Sequence, residues 1–215
     1  MTKTQQFVFF LSALLLTGCA AKMEVTHTGF LAHYDQLVPS KTIKGMHIYK
    51  NEAVNIKETY SKIMIAPVEI LLAPQAQEKF KDEEEQRLST YFHESLEKKL
   101  SKQFELTDTA GPGVLLLRTA ITDILPNKVY LNLHWSTTLI GAGIGGASIE
   151  AELIDAQSKE RLLAFIDAKK GKKLKYTKGL SKWGHTKEVL DKWADILMEN
   201  LSELEMVPEA TAEGH

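Results

Sequence analysis

The chain has 215 residues, 44% of them hydrophobic and 25% charged, with a formal net charge of −2. That length supports one compact domain plus a tether, and the slightly acidic balance lacks the basic footprint of a nucleic-acid surface. A single cysteine, Cys19, excludes an internal disulfide and a cysteine-built metal centre.

The chain begins with one charge, Lys3, then an apolar run over residues 7–16, then the small residues Thr17 and Gly18. This is the layout of a secretory signal. The run is too short to span a bilayer, which takes about 20 apolar residues. Leu16-Thr17-Gly18-Cys19 resembles the lipobox of bacterial lipoproteins. The resemblance implies a signal peptide over residues 1–18, cleavage before Cys19, a diacylglycerol thioether on its sulfur and acylation, typically by palmitate, of the new amino terminus. Such an anchor holds firmly, since each buried CH₂ contributes about 0.8 kcal/mol. Ala20 stands where an aspartate would resemble an inner-membrane retention signal, so the resemblance implies the outer membrane, facing the periplasm. Residues 19–28 read as a flexible tether.

Phe30, Leu31, Tyr34 and Leu37 share one helical face, which predicts a short helix after Gly29 with its aromatics in the core. Residues 39–45 read as loop and 46–49 as a short strand. Residues 60–68 read as a strand apolar on both faces, with Pro67 at its end or on an exposed edge because proline cannot donate to a ladder. A long helix is predicted over 75–104, from Leu88, Phe92, Leu96, Leu100 and Phe104 at every fourth position. Its early acids Asp82, Glu83, Glu84 and Glu85 and late bases Lys98, Lys99 and Lys102 suit the helix dipole, so the acidic run reads as a solvated face rather than a cation site. After a turn at 110–113 comes a strand over 114–125. Residues 129–136 alternate as a half-buried strand. Residues 147–155 and 161–167 form a hairpin, with Ile149, Ala151 and Leu153 facing in and Glu150 and Glu152 facing out. A basic loop over 168–179 leads to a closing helix over 180–204, striped by Trp183, Leu190, Trp193, Ala194, Leu197, Leu201 and Leu204. Residues 29–207 make one domain and 208–215 a polar, disordered tail.

The chemistry-bearing patterns are weak. Gly141, Gly143 and Gly146 match G-x-G-x-x-G, but a strand pattern follows where a dinucleotide fingerprint needs a helix. Glu150 and Glu152 lie about 7 Å apart on a strand. That spacing could suit glycosidic hydrolysis, yet plain polar-out alternation explains it. The histidines show no metal spacing, and His93 and His134 read as structural or exposed. There is no G-x-S-x-G. No catalytic residue, cofactor or metal site is therefore expected. The candidate interaction surface is the glycine-rich loop carrying Leu139 and Ile144, together with a basic cluster that includes Lys169, Lys170, Lys172 and Lys173 and could meet acidic headgroups or glycan.

Gly29-Phe30-Leu31 with Tyr34 and Leu37, Tyr49, Tyr60, Ala66-Pro67-Val68, Gly111-Pro112-Gly113-Val114-Leu115, Ala120-Ile121-Thr122-Asp123 and Ile149-Glu150 through Asp155 together resemble a bacterial outer-membrane lipoprotein family catalogued only as a domain of unknown function. The resemblance spans most of the mature chain and implies the anchor and a single domain. It supplies no catalytic residues. More distantly, the order of elements is similar to envelope interaction domains of the Tol propeller protein and the curli-secretion lipoprotein. The fold expected from the element order is an α/β two-layer sandwich, a mixed, mostly antiparallel sheet with two long helices on one face. The expected function is a non-enzymatic envelope adaptor, attached to the membrane through lipid on Cys19 and docking an envelope protein. The alternative is a lipid- or glycan-binding lipoprotein.

Overall fold

A computed structural model describes residues 27–78, 80–128, 144–171 and 181–202. The strands are β1 (Val38–Pro39), β2 (His47–Lys50), β3 (Lys62–Ile65), β4 (Glu69–Ile70), β5 (Glu105–Leu106), β6 (Val114–Leu125), β7 (Gly146–Asp155) and β8 (Arg161–Lys170). The helices are α1 (Ile56–Thr59), α2 (Pro74–Gln77), α3 (Asp82–Leu100) and α4 (Gly184–Ser202). The strands form one open sheet in the order β1-β2-β8-β7-β6-β3-β5, with β4 also paired to β6. From β1 across to β6 the pairing is antiparallel, while β3, β4 and β5 run parallel to their neighbours. The expected mixed, mostly antiparallel sheet with helices packed on it is the fold observed.

The sheet centre is the hairpin of β7 and β8 laid against β6. These strands alternate, but most positions are buried on both faces. On one face Leu117, Leu153 and Leu163 oppose one another, as do Thr119, Ala151 and Phe165. These rows meet Leu88, Phe92, Leu96 and Leu100 of α3 and Leu190, Trp193, Leu197 and Leu201 of α4 in one apolar core. The four-residue periods of both helices match 3.6 residues per turn closely enough to keep the stripes inward.

Four elements depart from their sequence-based prediction. The helix expected after Gly29 is a single 3₁₀ turn, Tyr34–Gln36. The Tyr34 hydroxyl accepts from the backbone N–H of Gly29 at 2.9 Å and of Leu31 at 3.3 Å, which folds the segment back on itself. The long helix expected over 75–104 divides into α2 and α3, because Lys81 is extended (φ −91, ψ 143). This break leaves Phe80 against Trp183, with ring centroids 5.6 Å apart. Phe104 lies past the end of α3, yet stays on the stripe and is buried. Of the basic loop expected over 168–179, residues 168–170 belong to β8 and 172–179 lie outside the described residues, and the closing helix starts at Gly184 rather than 180.

Candidate functional site

The other face of the sheet carries charge. Across it run two rows of directly opposed residues. One is Ala120, Glu150, Ile166 and His47, and the other is Arg118, Glu152, Ala164 and Tyr49. Residues 27–37, here termed the strap, lie over these rows. Phe30 and Leu31 pack on Ala120, Ala164 and Ile166 in a second, small apolar cluster, joined by Tyr34, Leu37 and Tyr49.

Glu150 is fully buried, and its carboxylate accepts three hydrogen bonds from the strap. The donors are the Thr28 N–H at 2.8 Å, the Thr28 hydroxyl at 3.0 Å and the Tyr34 hydroxyl at 2.5 Å. Burial, together with the bond to Glu150, raises the Tyr34 hydroxyl above its ordinary value. His27 stacks on Tyr34 with centroids 4.2 Å apart. Glu152 is held from both sides, by Arg118 at 2.5 Å and by Arg161 at 3.3 Å. Arg161 also donates to the His33 carbonyl at 3.1 Å. The Arg118 guanidinium sits 4.7 Å from the centre of the Phe30 ring and pairs with Glu69 at 3.7 Å.

Glu150 and Glu152 were expected to face solvent; both are buried. Their alternation with Ile149, Ala151 and Leu153 is real, but the second face is covered as well. A buried carboxylate is costly unless its oxygens find hydrogen-bond or ion-pair partners, and here the strap and two arginines supply them. With their oxygens engaged in this way, the two carboxylates form a latch for the strap rather than an open acid/base pair.

A second polar knot closes the far end of the sheet. The Asn127 side chain donates to the Ser181 carbonyl at 2.6 Å and accepts from the Gly145 N–H at 2.8 Å. His185 Nδ1 lies 2.9 Å from the same Asn127 oxygen. A Cβ on Gly145 would fall 2.4 Å from the Leu125 carbonyl, and one on Gly171 would fall 2.5 Å from His185, so only glycine fits at either place. The knot ties together Asn127, Gly145, Ser181 and His185, which come from separate parts of the chain. No spacing in the sequence announces it.

The remaining surface is grooved rather than pocketed. Between α3 and α4 runs a groove of about 530 Å³ lined by Tyr91, Ser95, Lys99, Asp191 and Asp195. Inside it Asp191 accepts from the Tyr91 and Ser95 hydroxyls at 2.8 and 2.9 Å, and Lys99 pairs with Asp195. A groove of about 460 Å³ separates the strap from the hairpin, with His33, Gln36, Lys159 and Arg161 on its walls. Among the described residues the exposed large hydrophobics are Val38 and Leu106, one at each edge of the sheet and too far apart to make a patch. Groups that could hold a metal ion are absent among the described residues. So is a helix long and apolar enough to cross a membrane.

Of the residues singled out in the sequence, Cys19, His134, Leu139, Gly141, Gly143, Lys172 and Lys173 lie outside the described residues. Ile144 is half-buried beside the knot, and Gly146 opens a strand. Lys169 turns inward, donating to Asp167 at 2.9 Å and to the Lys44 carbonyl at 3.2 Å, whereas Lys170 is exposed at the end of β8. Asp167 is fully buried and also accepts from the Trp193 indole at 2.9 Å. His93 sits on α3 beside Glu97, at 3.3 Å. In the acidic run, Glu84 bonds Lys182 at 2.6 Å, which lowers its carboxyl below the usual range.

Residues 26–197 match a family model described as a protein of unknown function (DUF3313). The chain is 24% identical over 196 residues to an uncharacterized lipoprotein of Escherichia coli K12, YdcL, covering 84% of this chain and 88% of that protein. Among solved structures, it is similar to the PelC dodecamer from Paraburkholderia phytofirmans, at 12% identity and a TM-score of 0.40 over 71% of this chain and 96% of that one. It is similar also to lipoprotein GNA1162 from Neisseria meningitidis, at 8% identity and a TM-score of 0.36 over 68% of this chain and 99% of that one.

Proposed function

The chain belongs to the DUF3313 family of proteins of unknown function, and from that premise we propose that it is a lipoprotein of the cell envelope, anchored through lipid on Cys19, whose folded domain is a non-enzymatic docking module. The observation that carries the anchor is the Leu16-Thr17-Gly18-Cys19 motif, placed just ahead of a domain whose first described residues are already bound to its sheet. That the Escherichia coli relative is itself a lipoprotein supports the same reading. The outer membrane is the proposed site because Ala20 and Ala21 follow the cysteine.

The docking role is supported by how the charged groups are used. Glu150, Glu152 and Asp167, the buried carboxylates, each serve as acceptors for the protein's own donors, and the grooves are shallow and salt-bridged. Such a surface suits polar contact with a folded envelope protein better than turnover of a small substrate.

Metabolic labelling with an alkynyl palmitate tests the anchor. Wild-type protein should carry label and sediment with outer-membrane fractions, and Cys19→Ser should lose both; a labelled Cys19→Ser chain would refute acylation at that sulfur. Crosslinking in intact cells, followed by denaturing purification, tests docking. One or two envelope proteins recovered in stoichiometric amounts are expected, with weaker recovery from a Leu139→Ser, Ile144→Ser double variant. Recovery of bulk lipoproteins alone would end the docking reading, and a lipid or glycan retained on the purified protein in native mass spectrometry would replace it.

A further inference from the structure

We infer that the domain sits on its membrane with the α3/α4 layer turned away and the strap side of the sheet nearest the lipid headgroups. This rests on the acylation of Cys19 proposed above. The membrane-facing surface is then the strap and the outer wall of the hairpin.

The argument is one of reach. Thr28 is fastened to Glu150 by its N–H and its hydroxyl, and it lies nine residues after Cys19. Fully extended, nine residues span at most about 30 Å. The fastening point is central, because β7 is the fourth strand in an order of seven. Three strand spacings of about 4.8 Å separate it from either edge, or roughly 14 Å. Beneath it lie two layers. A sheet layer about 10 Å thick and a helix about 10 Å across put the far surface of the helices about 20 Å down. A tether that had to round an edge and reach that far surface would need about 34 Å, more than its full extension. A relaxed tether is shorter still, on the order of 17 Å end to end. His27, stacked on Tyr34, removes one more residue from its free length. Had the chain been free up to β1, the attachment point would have been Val38, nineteen residues from Cys19, and a reach of roughly 65 Å would have allowed any orientation. The buried latch at Glu150 is therefore what converts a lipid anchor into an oriented one.

The test uses the full acylated chain in phospholipid vesicles bearing an acceptor dye on a headgroup. Cys19 is the chain's one native cysteine and is consumed by lipid, so a donor dye can be placed at Asp35→Cys on the strap or at Lys98→Cys on α3, both exposed positions. Energy transfer should be roughly twofold or more stronger from position 35, since two layers put about 20 Å between the sites. Inserting ten Gly/Ser residues between Ala21 and Lys22 leaves the domain untouched and should collapse the difference. Equal transfer from the two positions, or stronger transfer from 98, overturns the orientation. A difference that survives the insertion overturns its origin in the tether. If unacylated Cys19→Ser binds the vesicles as well as wild type does, the anchor itself is refuted and the orientation falls with it. That outcome is read from binding alone, before any transfer is measured.

Discussion

The two faces of the sheet are covered in opposite ways. On one, two helices of nineteen residues each bring leucine, phenylalanine and tryptophan against an apolar floor. On the other, a strap of eleven residues with a single 3₁₀ turn is held by two carboxylates, two arginines and a small apolar cluster. The first cover is extensive and non-directional, and its free energy scales with apolar area. The second covers little area but is directional, because each hydrogen bond to Glu150 fixes where a particular atom of the strap must lie. One face makes the fold stable; the other decides where the chain's amino-terminal end leaves it.

The sharpest way to test that division is to weaken each face separately. Phe92→Ala, at a fully buried site on α3, should lower global stability by about 3–5 kcal/mol, seen as a lower urea midpoint with an unchanged slope. Tyr34→Phe removes the bond donated to Glu150 and those accepted from Gly29 and Leu31, and should cost less, roughly 2 kcal/mol. Its effect should be local, with faster amide exchange and protease cutting across residues 28–37 and little change in the urea midpoint. If Tyr34→Phe shifts the global midpoint as far as Phe92→Ala, the strap belongs to the main cooperative unit and the comparison fails.

Alkaline titration distinguishes the faces more gently. On the helix side, burial and then hydrogen bonds to Asp155 and Asp191 push the Tyr60 and Tyr91 hydroxyls up to about 12. Folded values above the unfolded value of about 10 mean that the neutral phenols favour the native state. Their contribution is complete below pH 10 and is lost as pH rises through about 12. Tyr60→Phe and Tyr91→Phe should therefore flatten the fall in stability between pH 10 and 12, measured by urea titration at each pH. Asp155 works at the other end of the scale. Backbone N–H bonds from Ser158 and Gln157, with the Tyr60 hydroxyl, hold its carboxyl below the usual range, so that its share of stability fades as acid titrates it. An alkaline limb unchanged in both phenylalanine variants would show that neither phenol is coupled to folding.

Much of the helix face is written in local pattern. Leu88, Phe92, Leu96 and Leu100 are one turn apart, and residues 114–125 and 147–155 read as the strands they become, because periodicity is a property of neighbours along the chain. The strap face is not legible in that way. Glu150 and Glu152 alternate with apolar residues, which is the pattern of a strand with one wet face, and nothing adjacent to them says otherwise. What buries them comes from elsewhere: Thr28 is 122 residues from Glu150, and Tyr34 is 116. The two-residue strands β1, β4 and β5 were equally silent, being too short to show a period. Asn127 and His185 gave no signal either, since their knot is assembled from four separate stretches of chain.

By itself, then, the sequence determined the α/β class and the apolar stripes that build the main core, which are encoded by residues a few positions apart. Only the tertiary structure decided that the second face of the sheet is covered too, that two apparently outward carboxylates are internal acceptors, and that residues 27–37 are fastened over the middle of the sheet. The physical reason is that burial of a charge depends on partners brought together through space, and a pattern of neighbours carries no record of them.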